Sequence, residues 1–459
     1  MYNSKINYYI FVTPNISFIG GAELYIKRKC EYLVRNNCIP LIITGNNSNI
    51  LIFELNKYKQ LMIEELMFSP IFFSLKKQKK IIAKIVNWIK SNCNQSNNII
   101  VESHDMSTTL WSELIAEKLK IINFSYFLSD VELKKMSTIY QEFAKFKLDR
   151  KELIAITEKS MQVMFENIKN IDKSENNYIN IPFGKDEIIK NDNLIMSFLN
   201  NIDRLSFVIS TVSRLEKGYL HKLIESVGKI AKKNSNNVFV LIIVGDSKDK
   251  NLLDKFKKKY KFVQKNLDVI FTGYINPLPK ILFKRTHIFV GMGTSVINSI
   301  SQGCATICFD RRTNLSAGIL GLNLRNFAYN DREKENTLEY DINKLLYNKK
   351  LLKEAKIKGE KLFKEEYSNE IVMKKFMDLV NDRLKYSERK YFNIVDFKDK
   401  FCLKEKAKIY IFKIFGQKGY LYLIKDIIIP LKNILFYLKK LPSLKVVMVK
   451  WFYHKENMY

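Results

Sequence analysis

Histidine and cysteine are scarce. The chain holds four histidines and six cysteines in 459 residues. Cys30, Cys38, Cys93, Cys304, Cys308 and Cys402 form no CxxC pair, which argues against a zinc framework and a disulfide scaffold and fits a reducing, cytoplasmic setting. Long apolar runs are missing too. No stretch approaches the roughly 20 uninterrupted apolar residues that span a bilayer, so an integral helical membrane protein is not expected. The short run Tyr8 to Val12 reaches Pro14 without the basic, apolar and small-residue succession of a signal peptide, and it reads as a first core strand. Acidic residues are few, 47 against 77 Lys and Arg, for a formal charge of +30. Such a charge draws polyanions of any kind. No nucleic-acid-binding motif accompanies it, so nucleic acid is not an expected partner. A compositional drift toward Lys, Asn and Ile would leave solvated lysines on ordinary surfaces, and only local clustering carries information.

With 47% hydrophobic content, the chain can build two core-forming domains and an appendage. Its first part alternates β-branched or aromatic runs with helical patterns, the mark of a parallel sheet wrapped by helices. Ile6 to Thr13, Pro40 to Thr44, Ile99 to Glu102 and Ile121 to Phe127 read as strands, with helices at Ala22 to Arg35 and Ser107 to Leu119. Further strands are expected at Leu153 to Ile156 and Tyr178 to Ile181, before an Asn-rich linker. A second alternation follows. Leu205 to Val212, Val238 to Val244, Val269 to Thr272, Ile288 to Val290 and Thr306 to Phe309 read as strands. Helices are expected at Tyr219 to Lys232, Leu252 to Lys259, Leu278 to Lys284 and from Ser295, then a long helical region from Leu351 to Leu384. The expected fold is α/β, two Rossmann-like doubly wound domains over residues 1–190 and 200–385 facing a cleft. Ligands of such sheets bind beyond the carboxyl ends of the strands.

Residues 391–459 form a third, basic α-helical part. From Phe401 on, lysines interleave with Phe, Tyr, Trp and Leu, a pattern that suits helices lying in an anionic membrane interface. The alternative is an extra helical layer packed on the second domain or on a partner.

Three places carry chemistry. After the first strand, Phe18-Ile19-Gly20-Gly21-Ala22-Glu23 places two glycines at a helix start, where free amides attract phosphate or sugar oxygens. After the first strand of the second domain, Ser213-Arg214-Leu215-Glu216-Lys217-Gly218 offers a planar guanidinium fork and a mobile ammonium at a spacing that can hold one diphosphate. Third, Val290-Gly291-Met292-Gly293-Thr294-Ser295 is a glycine-rich turn with two hydroxyls opening a helix, and one turn on, Asn298 projects a polar group where a ribose could sit.

In this order the motifs resemble glycosyltransferase family 4, the large retaining family of GT-B fold, over roughly residues 5 to 385. Gly20-Gly21-Ala22-Glu23 resembles the family's N-terminal glycine loop, and Val101-Glu102-Ser103-His104-Asp105 its active-site histidine strand end. Ile181-Pro182-Phe183-Gly184 is similar to the interdomain turn, with Phe183 in place of asparagine, and Arg214 and Lys217 match the positions that clasp the donor diphosphate. The resemblance implies a nucleotide-sugar donor as co-substrate and a cell-surface glycan or lipid-linked acceptor of capsule, O-antigen or lipopolysaccharide type. It also implies retention of configuration. The lysines and aromatics of the tail from Phe401, rather than the resemblance, suggest work at the inner face of the cytoplasmic membrane. His104, Arg214 and Lys217 are the implied catalytic residues. Gly20, Gly21, Gly291, Gly293, Thr294, Ser295 and Asn298 are the implied donor-binding residues. Asp105 and Asp130 are acceptor-side candidates. No aspartate pair of the kind that bridges Mg²⁺ to diphosphate stands out, so neither a metal nor a further cofactor is expected.

One departure stands out. Where the family places two glutamates separated by seven residues, this chain has Val290 and Asn298. Asn298 can still hydrogen-bond a ribose, whereas Val290 cannot bond at all. Losing a charged hydrogen bond worth roughly 1.5 to 3 kcal/mol slows a step by about one to two orders of magnitude. Either a different donor makes the glutamate dispensable, or another residue supplies the contact, or the chain is a degenerate homologue that binds sugar nucleotides or serves in assembly without turnover.

Overall fold

The computed structural model describes residues 6–17, 20–47, 50, 52–93, 98–127, 133, 136–165, 178–182, 184, 199, 201–247, 250–275, 278–310, 313–327, 336–385, 389–395, 409–414 and 416–417. Phe18, Ile19, Asp130, Phe183 and most of the basic tail lie outside the described residues.

The first sheet has six parallel strands in the order β3-β2-β1-β4-β5-β6. They are β1 (Tyr8–Thr13), β2 (Ile39–Thr44), β3 (Lys59–Met62), β4 (Ile99–Ser103), β5 (Ile122–Phe127) and β6 (Leu153–Ala155). Its helices are α1 (Gly21–Arg35), α2 (Leu75–Asn92), α3 (Met106–Leu119), α4 (Thr138–Asp149) and α5 (Glu158–Met164). β1 is buried on both faces, as a central parallel strand must be. Tyr9 and Phe11 pack toward Tyr25 and Ile26 of α1, and Tyr8, Ile10 and Val12 pack with Ile81 and Ile85 of α2 and Trp111 of α3. Polar caps start several of these helices. Ser74 accepts from the Lys77 amide at 3.3 Å, and Asp105 from the Ser107 amide at 2.7 Å.

The second sheet repeats the plan in the order β12-β11-β10-β7-β8-β9. Its strands are β7 (Phe207–Val212), β8 (Phe239–Val244), β9 (Leu267–Gly273), β10 (Ile288–Gly291), β11 (Ala305–Asp310) and β12 (Leu315–Ile319). All pairs are parallel except β11 with β12. The helices are α6 (Tyr219–Lys233), α7 (Lys250–Lys259), α8 (Lys280–Arg285), α9 (Thr294–Ser301), α10 (Leu338–Leu346), α11 (Lys349–Leu362) and α12 (Asn369–Leu384). Leu220, Leu223, Ile224 and Val227 of α6 cover one face with Ile209, Leu241 and Ile243. Leu199, Ile202 and Leu282 cover the other with Val208, Val240 and Ile242.

Both sheets have the doubly wound order, and each reverses direction at its first strand, between β1 and β4 and between β7 and β10. Two tandem Rossmann-like units are therefore present, as expected. Two local expectations change. Tyr178 to Ile181 contributes one bridge, Tyr178 to Ala155, rather than a strand. The region Leu351 to Leu384 is broken by a π turn at Phe363–Tyr367 and by extended Ser368. After that break, α12 packs on the first unit. Phe376 meets the rings of Tyr9 and Phe124, and Arg383 pairs with Glu152 at 3.0 Å.

The described part of the extension also lies on the first unit. Phe392 packs on Phe143 and Phe146, and Phe412 is buried against Phe68, Phe72 and Phe73. These contacts are those of a packed layer, but on the first unit rather than on the second domain that the sequence suggested. Residues 418–459, where most of the interfacial pattern falls, are outside the described residues. Among the described residues, no helix is long and apolar enough to cross a membrane.

Candidate active site

The candidate residues follow the four central strands. Gly20 and Gly21 follow β1, His104 follows β4, Arg214 and Lys217 follow β7, Gly291 ends β10, and Gly293 to Ser295 follow it. These are the carboxyl ends at both switch points, where a ligand of an open α/β sheet finds its crevice. The two glycine turns meet. A Cβ placed on Gly21 would lie 3.7 Å from Thr294 Cγ2, so the first residues of α1 and α9 are close neighbours. Each leaves unpaired amides and a partial positive charge at that point. Gly293 supports the second turn with φ of 66°, a conformation costly for any side chain. Ser295 closes it, donating its hydroxyl to the Met292 carbonyl at 3.0 Å.

Arg214 and Lys217 line a cavity of about 530 Å³ with Glu216, Gly218, Tyr219, Met292, Phe309 and Asn314. Backbone bonds hold this loop against the end of β8. The Ser213 amide donates to the Val244 carbonyl at 2.9 Å and the Leu215 amide to the Asp246 carbonyl at 3.2 Å. Gly245 makes the approach possible, since a Cβ there would stand 1.8 Å from the Ser213 carbonyl oxygen. At the cavity's floor the Tyr219 and Phe309 rings lie 5.0 Å apart, and Tyr219 shares a 2.9 Å hydrogen bond with Thr211. Ser247 donates to Glu216 at 2.8 Å. The cavity thus gathers a guanidinium, an ammonium, one carboxylate and aromatic surface. Gly20, Gly21, His104, Gly291, Gly293, Thr294, Ser295 and Asn298 are not among its lining residues.

His104 is buried and its ring is engaged below the crevice. Its Nε2 stands 2.5 Å from Glu102 Oε1, and its ring packs edge-on against Tyr25. Glu102 is fully buried and also accepts from the hydroxyls of Tyr9 and Tyr25 and from Lys29. Burial alone would raise the Glu102 carboxyl, but the Lys29 charge and the His104 hydrogen bond outweigh it and hold the group at about 2. Burial in turn pulls the Lys29 ammonium down, against the attraction of Glu102. The sequence motif pointed to His104 but not to Glu102, Lys29, Tyr9 or Tyr25. A lysine on the apolar face of α1, one turn after Tyr25 and amid Ile26, Cys30 and Leu33, was the available signal.

Three further positions are placed by the structure. Val290 is fully buried within β10, in the core shared with Ile288 and Ile307, because only Met292 and Gly293 separate strand from helix. That position does not open on the cleft. Asp105 serves as the N-cap of α3, with the Ser107 amide and hydroxyl both bound to its Oδ1, so its carboxylate is engaged in structure. Asn298 is buried on α9 at 7% exposure, not presented openly to solvent. The interdomain turn is anchored as a turn should be, with Arg28 donating to the Pro182 carbonyl at 3.3 Å and lying against Gly184.

Comparison with known proteins defines the class. Residues 196–362 match the family described as Glycosyl transferases group 1. A glycosyltransferase from Rickettsia africae aligns with a TM-score of 0.60 at 17% identity, over 84% of this chain and 100% of that one. HepE from Anabaena, in complex with UDP and glucose, aligns with 0.59 at 12% identity, over 82% and 100%. The lipopolysaccharide outer core galactosyltransferase WaaB aligns with 0.52 at 14% identity, over 82% and 99%. No curated protein matches the chain in sequence. The fold is that of the GT-B glycosyltransferases, and the group 1 glycosyl transferase match falls on the second unit, over residues 196–362.

Proposed function

We propose that the chain is a glycosyltransferase that takes a sugar from a nucleotide donor to a cell-surface glycan or lipid-linked acceptor, with retention of configuration and without a metal ion. The observation that carries this reading is the convergence of positive charge. Arg214 and Lys217 share one cavity wall, and the first residues of α1 and α9 are close neighbours. In a retaining transfer the bond between anomeric carbon and phosphate oxygen breaks through an oxocarbenium-like state, and negative charge grows on the leaving diphosphate. Fixed cations and amides that meet this charge lower the barrier. The leaving phosphate oxygen can take the proton of the incoming hydroxyl on the same face, so no protein nucleophile is required. The group 1 domain and the UDP bound by the similar HepE fold support a nucleotide donor, and the WaaB likeness favours a surface glycan. The lysines and aromatics of the tail favour residence at the inner face of the cytoplasmic membrane.

Titration calorimetry with UDP, GDP, ADP, CMP and dTDP tests the donor site. One nucleotide is expected to bind, with the same affinity in EDTA, and Lys217→Ala to weaken it. Binding of none, or binding indifferent to Lys217, would count against the proposal. A second reading, a sugar-nucleotide-binding homologue without turnover, is favoured by one observation: neither Val290 nor Asn298 supplies the family carboxylate.

A further inference from the structure

We propose that Glu102, with Lys29 holding it in place, is the positioning residue for His104: it fixes the ring proton on Nε2 and leaves Nδ1 as a hydrogen-bond acceptor for a sugar hydroxyl. This inference rests on the transferase reading and adds to it the residues that prepare His104.

The donors and acceptors around Glu102 can be counted. A carboxylate has about four lone-pair directions, and Glu102 meets four donors. Oε2 accepts from the Tyr9 hydroxyl and from Lys29 Nζ. Oε1 accepts from the Tyr25 hydroxyl at 2.8 Å and from His104 Nε2 at 2.5 Å. Lys29 spends its other two protons on the hydroxyl oxygens of Tyr9 and Tyr25, both at 2.9 Å. Every hydrogen of the two tyrosines and the lysine is thereby assigned, and none is left to turn toward the histidine. A carboxylate only accepts, so Nε2 must donate, and in the neutral ring Nδ1 carries the bare lone pair.

That lone pair is the one loose end of the cluster. His104 Nδ1 is buried and has no hydrogen-bond partner among the described residues. A buried acceptor left unpaired costs about 1 to 3 kcal/mol, and in a network otherwise saturated it marks a place kept for a ligand. A sugar hydroxyl is the matching donor, since Nδ1 lies at the carboxyl end of β4, beside the switch point of the first sheet. The cluster is also tied to the last helix. Lys29 Nζ sits 2.9 Å from the centre of the Phe376 ring of α12, a cation–π contact. The segment that returns from the second unit therefore presses on the group that sets the histidine.

The test uses the full chain, labelled with ¹⁵N-histidine. It has four histidines, His104, His221, His287 and His454, so each ring can be assigned by single replacement. The wild-type His104 ring is expected to carry its proton on Nε2, as a downfield, exchange-protected signal, with Nδ1 unprotonated. Glu102→Gln should shift that signal and lower kcat roughly 10- to 100-fold with little change in donor KM, because the lost bond is charged and lies outside the diphosphate site. The double variant Lys29→Met with Glu102→Met removes both charges together, which keeps the core neutral, and it should lose the protected signal entirely. A ring proton on Nδ1 in the wild type, or an unchanged signal and kcat in these variants, would overturn the assignment. If the wild type turned over none of the UDP-, GDP-, ADP-, CMP- and dTDP-sugars yet showed the Nε2 proton that the variants lose, the hold of Glu102 on His104 would stand and the transferase reading would fall.

Discussion

Gly21 and Thr294, the first residues of α1 and α9, are close neighbours from the two units, so near that a Cβ on Gly21 would lie 3.7 Å from Thr294 Cγ2. The gap suits backbone and small polar groups, and two helix N-termini border it. Replacing Gly21 by Leu should leave the fold intact, because Gly21 is exposed, but fill the gap. Nucleotide-sugar turnover is expected to fall at least about tenfold, as when one oriented contact of about 1.4 kcal/mol is lost. Circular dichroism and release of free nucleotide check the two halves of this expectation.

Gly245 governs the donor loop through sterics. Its φ is 147°, and a Cβ would collide with the Ser213 carbonyl at 1.8 Å. Gly245→Ala must push Ser213 and Arg214 off the end of β8. A loss of about 2 to 3 kcal/mol in stability is expected, with weaker nucleotide binding, measured by urea unfolding and by calorimetry.

Restoring the family glutamate should do harm. Val290 is enclosed in the second core, so Val290→Glu places an unpaired carboxylate among Ile288 and Ile307. Stability should fall by about 3 kcal/mol or more, and turnover should not rise. A gain in rate without loss of stability would mean that this position does reach the donor.

Acid should loosen the first unit through Glu102. Its folded carboxyl titrates at about 2, below the ordinary 4.5, so its contribution is fully present above pH 4.5 and is lost as pH falls toward 2. Wild type should lose stability between pH 5 and 3, in the range accessible to urea titration, more steeply than the Lys29→Met, Glu102→Met double variant.

Much of this was legible in the sequence because the signals were local. Runs such as Val238 to Val244 can only be buried strands, and the glycine turns and the Arg214 loop sit where a doubly wound sheet places its ligands. What escaped depends on distant partners. β3, Lys-Gln-Leu-Met, is an edge strand with little apolar pattern of its own, paired only with β2. α12 belongs to the second unit by sequence, yet its Phe376 and Arg383 find partners on β1, β5 and Glu152. The Lys29 and Glu102 pair joins residues 73 apart, and neither alone announces a buried ion. Val290 aligned with a site position through its glycines, but the short link from β10 to α9 leaves it inside the strand.

The measurement that bears most directly on the account is donor turnover by the purified chain and by Arg214→Ala, across UDP-, GDP-, ADP-, CMP- and dTDP-sugars, read as released nucleotide. The account predicts release from one donor and its reduction by about one to two orders of magnitude in Arg214→Ala, the loss expected for a charged contact to the leaving diphosphate. Tight nucleotide binding with no release, even with acceptor extracts present, would contradict it.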